Sequence, residues 1–123
     1  MKYLYVCSTD SLKYHPTNST WDFIIELPQT LAGCGYVALG EIQYSAYTGR
    51  LIVCSDICEE SYIRDRSMPI LRRVSQPGEF DRLQFLRTTR SDIQRIRISI
   101  LDEELQEPIE NIGPVYCTLI FKP

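Results

Sequence analysis

The sequence predicts an all-β fold: a two-sheet antiparallel β-sandwich, jelly-roll or immunoglobulin-like in outline, with about eight strands and little helix. Three observations predict it. Short apolar runs alternate with a period of two, seven prolines and six glycines punctuate the runs, and no segment shows two full turns of apolar residues at helical spacing. Strands without alternating helices bury their apolar faces by stacking two sheets. At 123 residues the chain has room for one core, so residues 1–123 are read as a single domain.

Lys2 to Cys7 reads as the first strand. In "WDFIIEL", Trp21, Phe23, Ile25 and Leu27 share one face, opposite Asp22, Ile24 and Glu26, and Pro28 is expected to end the strand. Trp21 is the expected core anchor, because its mates on that face are all apolar. "GYVALGEIQY" and the β-branched "RLIVCSDI" follow, joined by a short hairpin-like connection at Tyr47-Thr48-Gly49. Ile70 to Val74 and Leu83 to Leu86 are short strands. "IQRIRISIL" then gives the cleanest alternation, with Ile96, Ile98 and Ile100 opposite Arg95, Arg97 and Ser99. "GPVYCTLIF" closes the fold with two largely apolar faces. The best helical candidates, Ser55 to Arg64 and Asp102 to Gln106, are short, acidic and marginal.

Composition is globular, 44% apolar and 24% charged, and the net charge of −3 gives no global reason to expect nucleic acid. The charge is unevenly distributed. Arg64 to Arg97 holds nine arginines against four acids, whereas Asp102 to Glu110 holds five acids and no base. Arginine outnumbers lysine ten to three, and the planar guanidinium suits interfaces better than the strongly hydrated ammonium. The first residues lack the apolar core of a signal peptide and no run approaches a membrane span, so a reducing compartment is expected. The five cysteines are an odd number, and Cys7, Cys54 and Cys117 lie in apolar runs, so they read as structural thiols. Asn18-Ser19-Thr20 fits a glycosylation acceptor, but without a secretory route it reads as a turn.

The residues give little for an enzyme to use. His15 is the one histidine, and neither Cys34 nor Cys58 has an activating motif around it. Cys54 and Cys58 make a single close pair, where structural zinc wants four ligands. Glu59-Glu60 and Glu103-Glu104 read as solvated charge, and Gly33-Cys34-Gly35 as a turn with no phosphate-loop lysine. We therefore expect no catalytic, cofactor-binding or metal-binding residues, no membrane and no small-molecule substrate. Nucleic acid is the more serious rival: Arg72, Arg73, Arg82, Arg87, Arg90, Arg95 and Arg97 could form a stripe with Phe80, Phe85 and Tyr62 as stacking groups. The interspersed acids and the acidic loop that follows argue against it.

Taken in order, "TWDFIIELPQTL", "YVALGEIQYS", "LIVCSDI", "MPILRRV", "IQRIRISILDEELQEPI" and "GPVYCTLIF" resemble a family encoded by Maverick/Polinton transposons and the related adintoviruses. The matching features are Leu27-Pro28, Val37 to Ile42, Ser55 to Ile57, Pro69 to Arg72, Ile96 to Asp102 and Leu119 to Phe121, with Cys54 shifted by one place. Family members carry a long insertion between the second and third of these segments, whereas Ser45 to Arg50 joins them directly here. The resemblance implies a non-enzymatic structural protein of a virus or virus-like element: a minor capsid, vertex or spike component, made inside the host cell and carried in the virion.

Charge separation and arginine bias point to self-association and contact with other capsid proteins. The interface candidates are Arg64, Arg66, Arg72 and Arg73 on one side and Asp102, Glu103, Glu104 and Glu107 on the other, with Tyr47 and Tyr62 as aromatic anchors. In a head-to-tail contact the basic surface of one copy would face the acidic loop of the next. Arg72 and Arg73 are adjacent, so a regular strand points them to opposite faces and leaves at most one free for a partner. The alternative is a monomeric module that binds a host protein or nucleic acid through its arginines.

Overall fold

The computed structural model describes residues 1–11 and 18–123. Chain order is β1 (Lys2–Cys7), the helical turn α1 (Ser8–Ser11), β2 (Asp22–Leu31), β3 (Tyr36–Gln43), β4 (Leu51–Ser55), β5 (Ser61–Ile63), β6 (Arg66–Met68), β7 (Ile70–Val74), β8 (Gly78–Glu79), β9 (Leu86–Arg87), β10 (Ile93–Asp102) and β11 (Tyr116–Lys122). All the pairings are antiparallel. Sheet A runs β1-β11-β3, with β8 and β9 on the far side of β3; sheet B runs β2-β10-β4-β7; β5 and β6 form a separate hairpin.

The two sheets pack as a β-sandwich, and the strand order settles which kind. With the hairpin set aside and β8 and β9 counted as one interrupted strand, eight strands remain. They pair first with last (β1–β11), second with seventh (β2–β10), third with sixth (β3 with β8 and β9) and fourth with fifth (β4–β7). That is the wrap of a jelly roll: one long antiparallel ribbon folded across two sheets.

The period of two carries the core. Ile96, Ile98 and Ile100 of β10, Leu51 and Val53 of β4, and Leu119 and Phe121 of β11 are fully or almost fully buried between the sheets. Each such side chain contributes about 1.5–3 kcal/mol through its burial. β4 is buried along its whole length, because Ile52 and Cys54 on its outer face join Ile70 in a second small cluster. Ile63 and Met68, from the β5–β6 hairpin, help cover that cluster.

Several expectations need correction. Phe23, with no exposed surface, is the core aromatic of β2, whereas Trp21 precedes the strand and is only half-buried against the core rim. Pro28 lies inside β2 and does not end it. β2 is an edge strand, and its register against β10 shifts between Glu26 and Leu31, so the missing N–H costs no ladder bond there. Tyr47-Thr48-Gly49 is not hairpin-like: it carries the chain from β3 in sheet A to β4 in sheet B. The strand expected at Leu83 to Leu86 is reduced to Leu86–Arg87, and the two helical candidates form turns and hairpin.

Close approach requires the glycine at position 40. Gly40 is skipped where the β3–β11 register shifts, and a Cβ there would lie 2.6 Å from Cδ1 of Ile120, whose side chain folds over the gap. Ile120 is therefore buried on what would otherwise be an open outer face.

Candidate functional site

β7 is the far edge strand of sheet B, and beside it opens a cleft of about 940 Å³. Ile70 to Arg73 line its floor, the β5–β6 hairpin forms one wall, and Gln84 with Leu86 forms the other. Asp102 at the end of β10, with Glu103 and Glu104 of the turn that follows it, closes one end together with Gly49 and Arg50.

This geometry brings together residues that the sequence suggested for opposite surfaces. Arg64 donates from Nη1 to the Glu104 carbonyl at 2.7 Å, and Arg66 donates to Oε1 of Gln106 at 3.0 Å. Arg73 pairs with the Glu103 carboxylate. The basic and acidic segments thus meet within one chain, because β4 lies between β7 and β10 and the hairpin folds back toward the end of β10. A head-to-tail contact between these two segments would first have to break those bonds.

Arg72 takes a different course. It reaches across the sandwich edge, with its guanidinium 3.8 Å from the centre of the Phe80 ring, and donates to the Arg82 carbonyl at 2.8 Å. Partial burial lowers its pKa. Both adjacent arginines are therefore engaged inside the subunit, by different means.

The acidic turn is organised by Asp102. Its Oδ1 accepts from the backbone N–H of Glu104 at 2.9 Å and of Leu105 at 2.8 Å, and its N–H donates to the Glu107 carbonyl at 2.8 Å. The Tyr47 hydroxyl donates to Oδ2 of the same carboxylate. The backbone N–H of Leu105, followed by this hydroxyl, holds Asp102 below the usual carboxylate range, and the hydrogen bond to Asp102 pushes Tyr47 up to about 12. Tyr47 can reach Asp102 because it crosses Gly49, where a Cβ would sit 2.7 Å from its hydroxyl oxygen. Tyr47 and Glu107 line a second, shallower pocket beyond the turn. Tyr62, at the cleft wall, is 82% exposed.

Of the ten sequence candidates, Arg64, Arg72, Arg73, Tyr62, Asp102, Glu103 and Glu104 line the cleft, while Arg66, Tyr47 and Glu107 lie around its acidic end. Sequence reasoning missed Arg50 and Gln84. Arg50 directly precedes the buried β4 run, a position that should have marked it as the rim of a core strand; Gln84, in a loop, carried no signal.

Arg90, Arg95 and Arg97 are paired with acids of the same chain. Arg97 grips Asp22 with two bonds, 2.9 and 2.7 Å, Arg95 reaches Glu26 at 2.5 Å, and Arg90 lies 3.7 Å from Asp56. Arg97 holds Asp22 below the usual carboxylate range. Of the aromatics suggested for stacking, Phe80 already carries Arg72, and Phe85 lies 4.2 Å from Lys122.

All five thiols are free. Burial raises Cys34, pushes Cys54 up to about 11, and pushes Cys58 and Cys117 up to about 12, so these four are protonated at neutral pH. Among the described residues no group of three or more His, Cys, Asp or Glu is arranged to hold a metal, and no helix is long and apolar enough to cross a membrane. His15 lies outside the described residues. No family model, curated protein or solved structure matches this chain.

Proposed function

We propose that this chain is a non-enzymatic structural protein of a virus or virus-like element, working through protein contacts as a minor capsid, vertex or spike component of the Maverick/Polinton and adintovirus kind. The observation that carries the reading is the jelly-roll wrap, an architecture used by capsid proteins as well as by lectins and cupins. The surface supports the same reading: Arg95 and Arg97 are tied to Glu26 and Asp22 of the same sheet, whereas the exposed large apolar and aromatic side chains include Tyr3, Tyr5, Tyr62 and Tyr116. Tyrosine buries much area for little rotamer entropy and is enriched at protein interfaces.

A second reading, a module that holds a partner's extended segment, is favoured by one feature: edge strand β7 lines the floor of the open cleft. Two measurements test the proposal. Co-expression with the proteins encoded beside it should carry the chain into particles. Fluorescence anisotropy with short DNA and RNA should show no salt-dependent binding. Failure to enter particles, or salt-dependent binding lost in Arg95→Glu and Arg97→Glu, would overturn the proposal.

A further inference from the structure

A jelly roll leaves strand edges open, and this one treats them unequally. In sheet B, edge strand β2 carries Asp22, Glu26, Pro28 and a register shift, all of which discourage pairing with another strand. Edge strand β7 presents Arg72 and Arg73 and is flanked by the cleft walls. The far side of β3 is taken by the two-residue strands β8 and β9. Edge strand β1 has none of these devices. It contains no proline and no acid, its register against β11 is unbroken, and its one charged side chain, Lys2, donates to the Ala32 carbonyl at 3.2 Å.

The direction of the free edge follows from one hydrogen bond. Ser8 donates its N–H to the Val115 carbonyl at 2.9 Å, continuing the β1–β11 register by one pair. Hydrogen-bonded pairs alternate along an antiparallel ladder, so Val6, Leu4 and Lys2 also bond toward β11. The N–H and C=O groups of Tyr3 and Tyr5 therefore point away from the sheet, and none is bonded to another described residue. Their side chains are 56% and 75% exposed.

We propose that β1 pairs with β1 of a second copy, antiparallel and about a two-fold axis, so that sheet A continues across the two subunits. The inference rests on the assembly reading above and names its contact. The self-complementary register sets Tyr3 opposite Tyr5 of the second copy, and Tyr5 opposite its Tyr3. These are the residues whose backbone groups face outward, so both pairs form main-chain hydrogen bonds. The same register stacks the tyrosines across the outer face, sets Leu4 against its own copy on the inner side, and places the two lysines at opposite ends of the pairing, each facing a Val6. No like charges meet. A strand edge with its flanking tyrosines lies at the low end of specific interface areas, so the isolated dimer is concentration-dependent, with a dissociation constant in roughly the micromolar range. Several such contacts in a particle would reinforce one another.

Sedimentation equilibrium of the full chain tests this. The wild-type protein should pass from monomer to dimer as concentration rises. Tyr5→Pro removes an outward N–H and no ladder bond, and should raise the dissociation constant at least tenfold. Tyr3→Lys with Tyr5→Lys keeps every backbone group, guards against a folding defect in the proline variant, and should have a similar effect; far-UV circular dichroism checks the fold of both. A wild-type chain still monomeric at millimolar concentration overturns the proposal, as does a dimer unchanged in both variants or one weakened instead by Arg73→Glu. If β1 pairing fails in this way while the chain still enters particles, the assembly reading stands without it.

Discussion

β10 and β4 are neighbours in sheet B, paired over five residues, yet their sequences read differently. β10 alternates isoleucine with arginine, whereas β4, "LIVCS", is buried throughout. Inward, the two strands face the same core. Outward, Arg95 and Arg97 of β10 meet water and the acids of β2, while Ile52 and Cys54 of β4 lie in the cluster that Ile63 and Met68 help cover. Strict alternation therefore reports one covered face, and a continuous apolar run reports two. The covering element for β4 is a hairpin only a few residues further along the chain.

Mutations in the two strands should differ in cost. Ile98→Ala, in the main core, should cost about 3–5 kcal/mol of unfolding free energy in urea titration, because neighbours from both sheets surround the cavity. Ile52→Ala should cost about 2–3 kcal/mol, since the small cluster can close as the hairpin settles inward. Equal losses at the two sites would mean that the hairpin is as firmly packed as the sandwich. Asp22→Asn, which removes the carboxylate that Arg97 grips with two bonds, should cost about 1 kcal/mol or less at pH 7, as expected of a part-exposed pair. Because the Asp22 pKa is lowered from 3.8, its contribution is fully present above that pH and is lost as the pH falls through the folded value. The variant should therefore lose less stability than the wild type below about pH 4 in acid titration. Smallest in stability but clear in rate is thiol labelling at pH 8. The buried Cys54, Cys58 and Cys117, with pKa values pushed to about 11 or 12, should react far more slowly than the part-exposed Cys7, as mass spectrometry of alkylated peptides would show.

The sequence revealed the long strands of this fold and missed most of the short ones. β5, β6, β8 and β9 have two or three residues each, too few for a period of two to stand out. The candidate site was legible as a list and not as an arrangement. Arg73 and Glu103 were both singled out, but for surfaces on different copies, since thirty residues separate them and no local pattern says that they touch. Trp21 was overvalued for a related reason: alternation assigns a face, but it does not say where along the chain the strand begins.

Local pattern was enough to show that the chain is built of strands, that Ile96, Ile98 and Ile100 of β10 share a face opposite Arg95, Arg97 and Ser99, and that the β-branched run of β4 fits a buried strand. These follow from the two-residue repeat of an extended backbone and from the cost of leaving apolar side chains in water, both of which act locally. The jelly-roll order, the meeting of the basic and acidic segments around one cleft, and the contrast between a charged β2 edge and a tyrosine-bearing β1 edge arise only in the folded chain. Those depend on which strands lie side by side after seventy or a hundred intervening residues, as in Asp22 with Arg97 or Ser8 with Val115. Such long-range pairings are selected by the packing of the whole core, which no short stretch of sequence encodes.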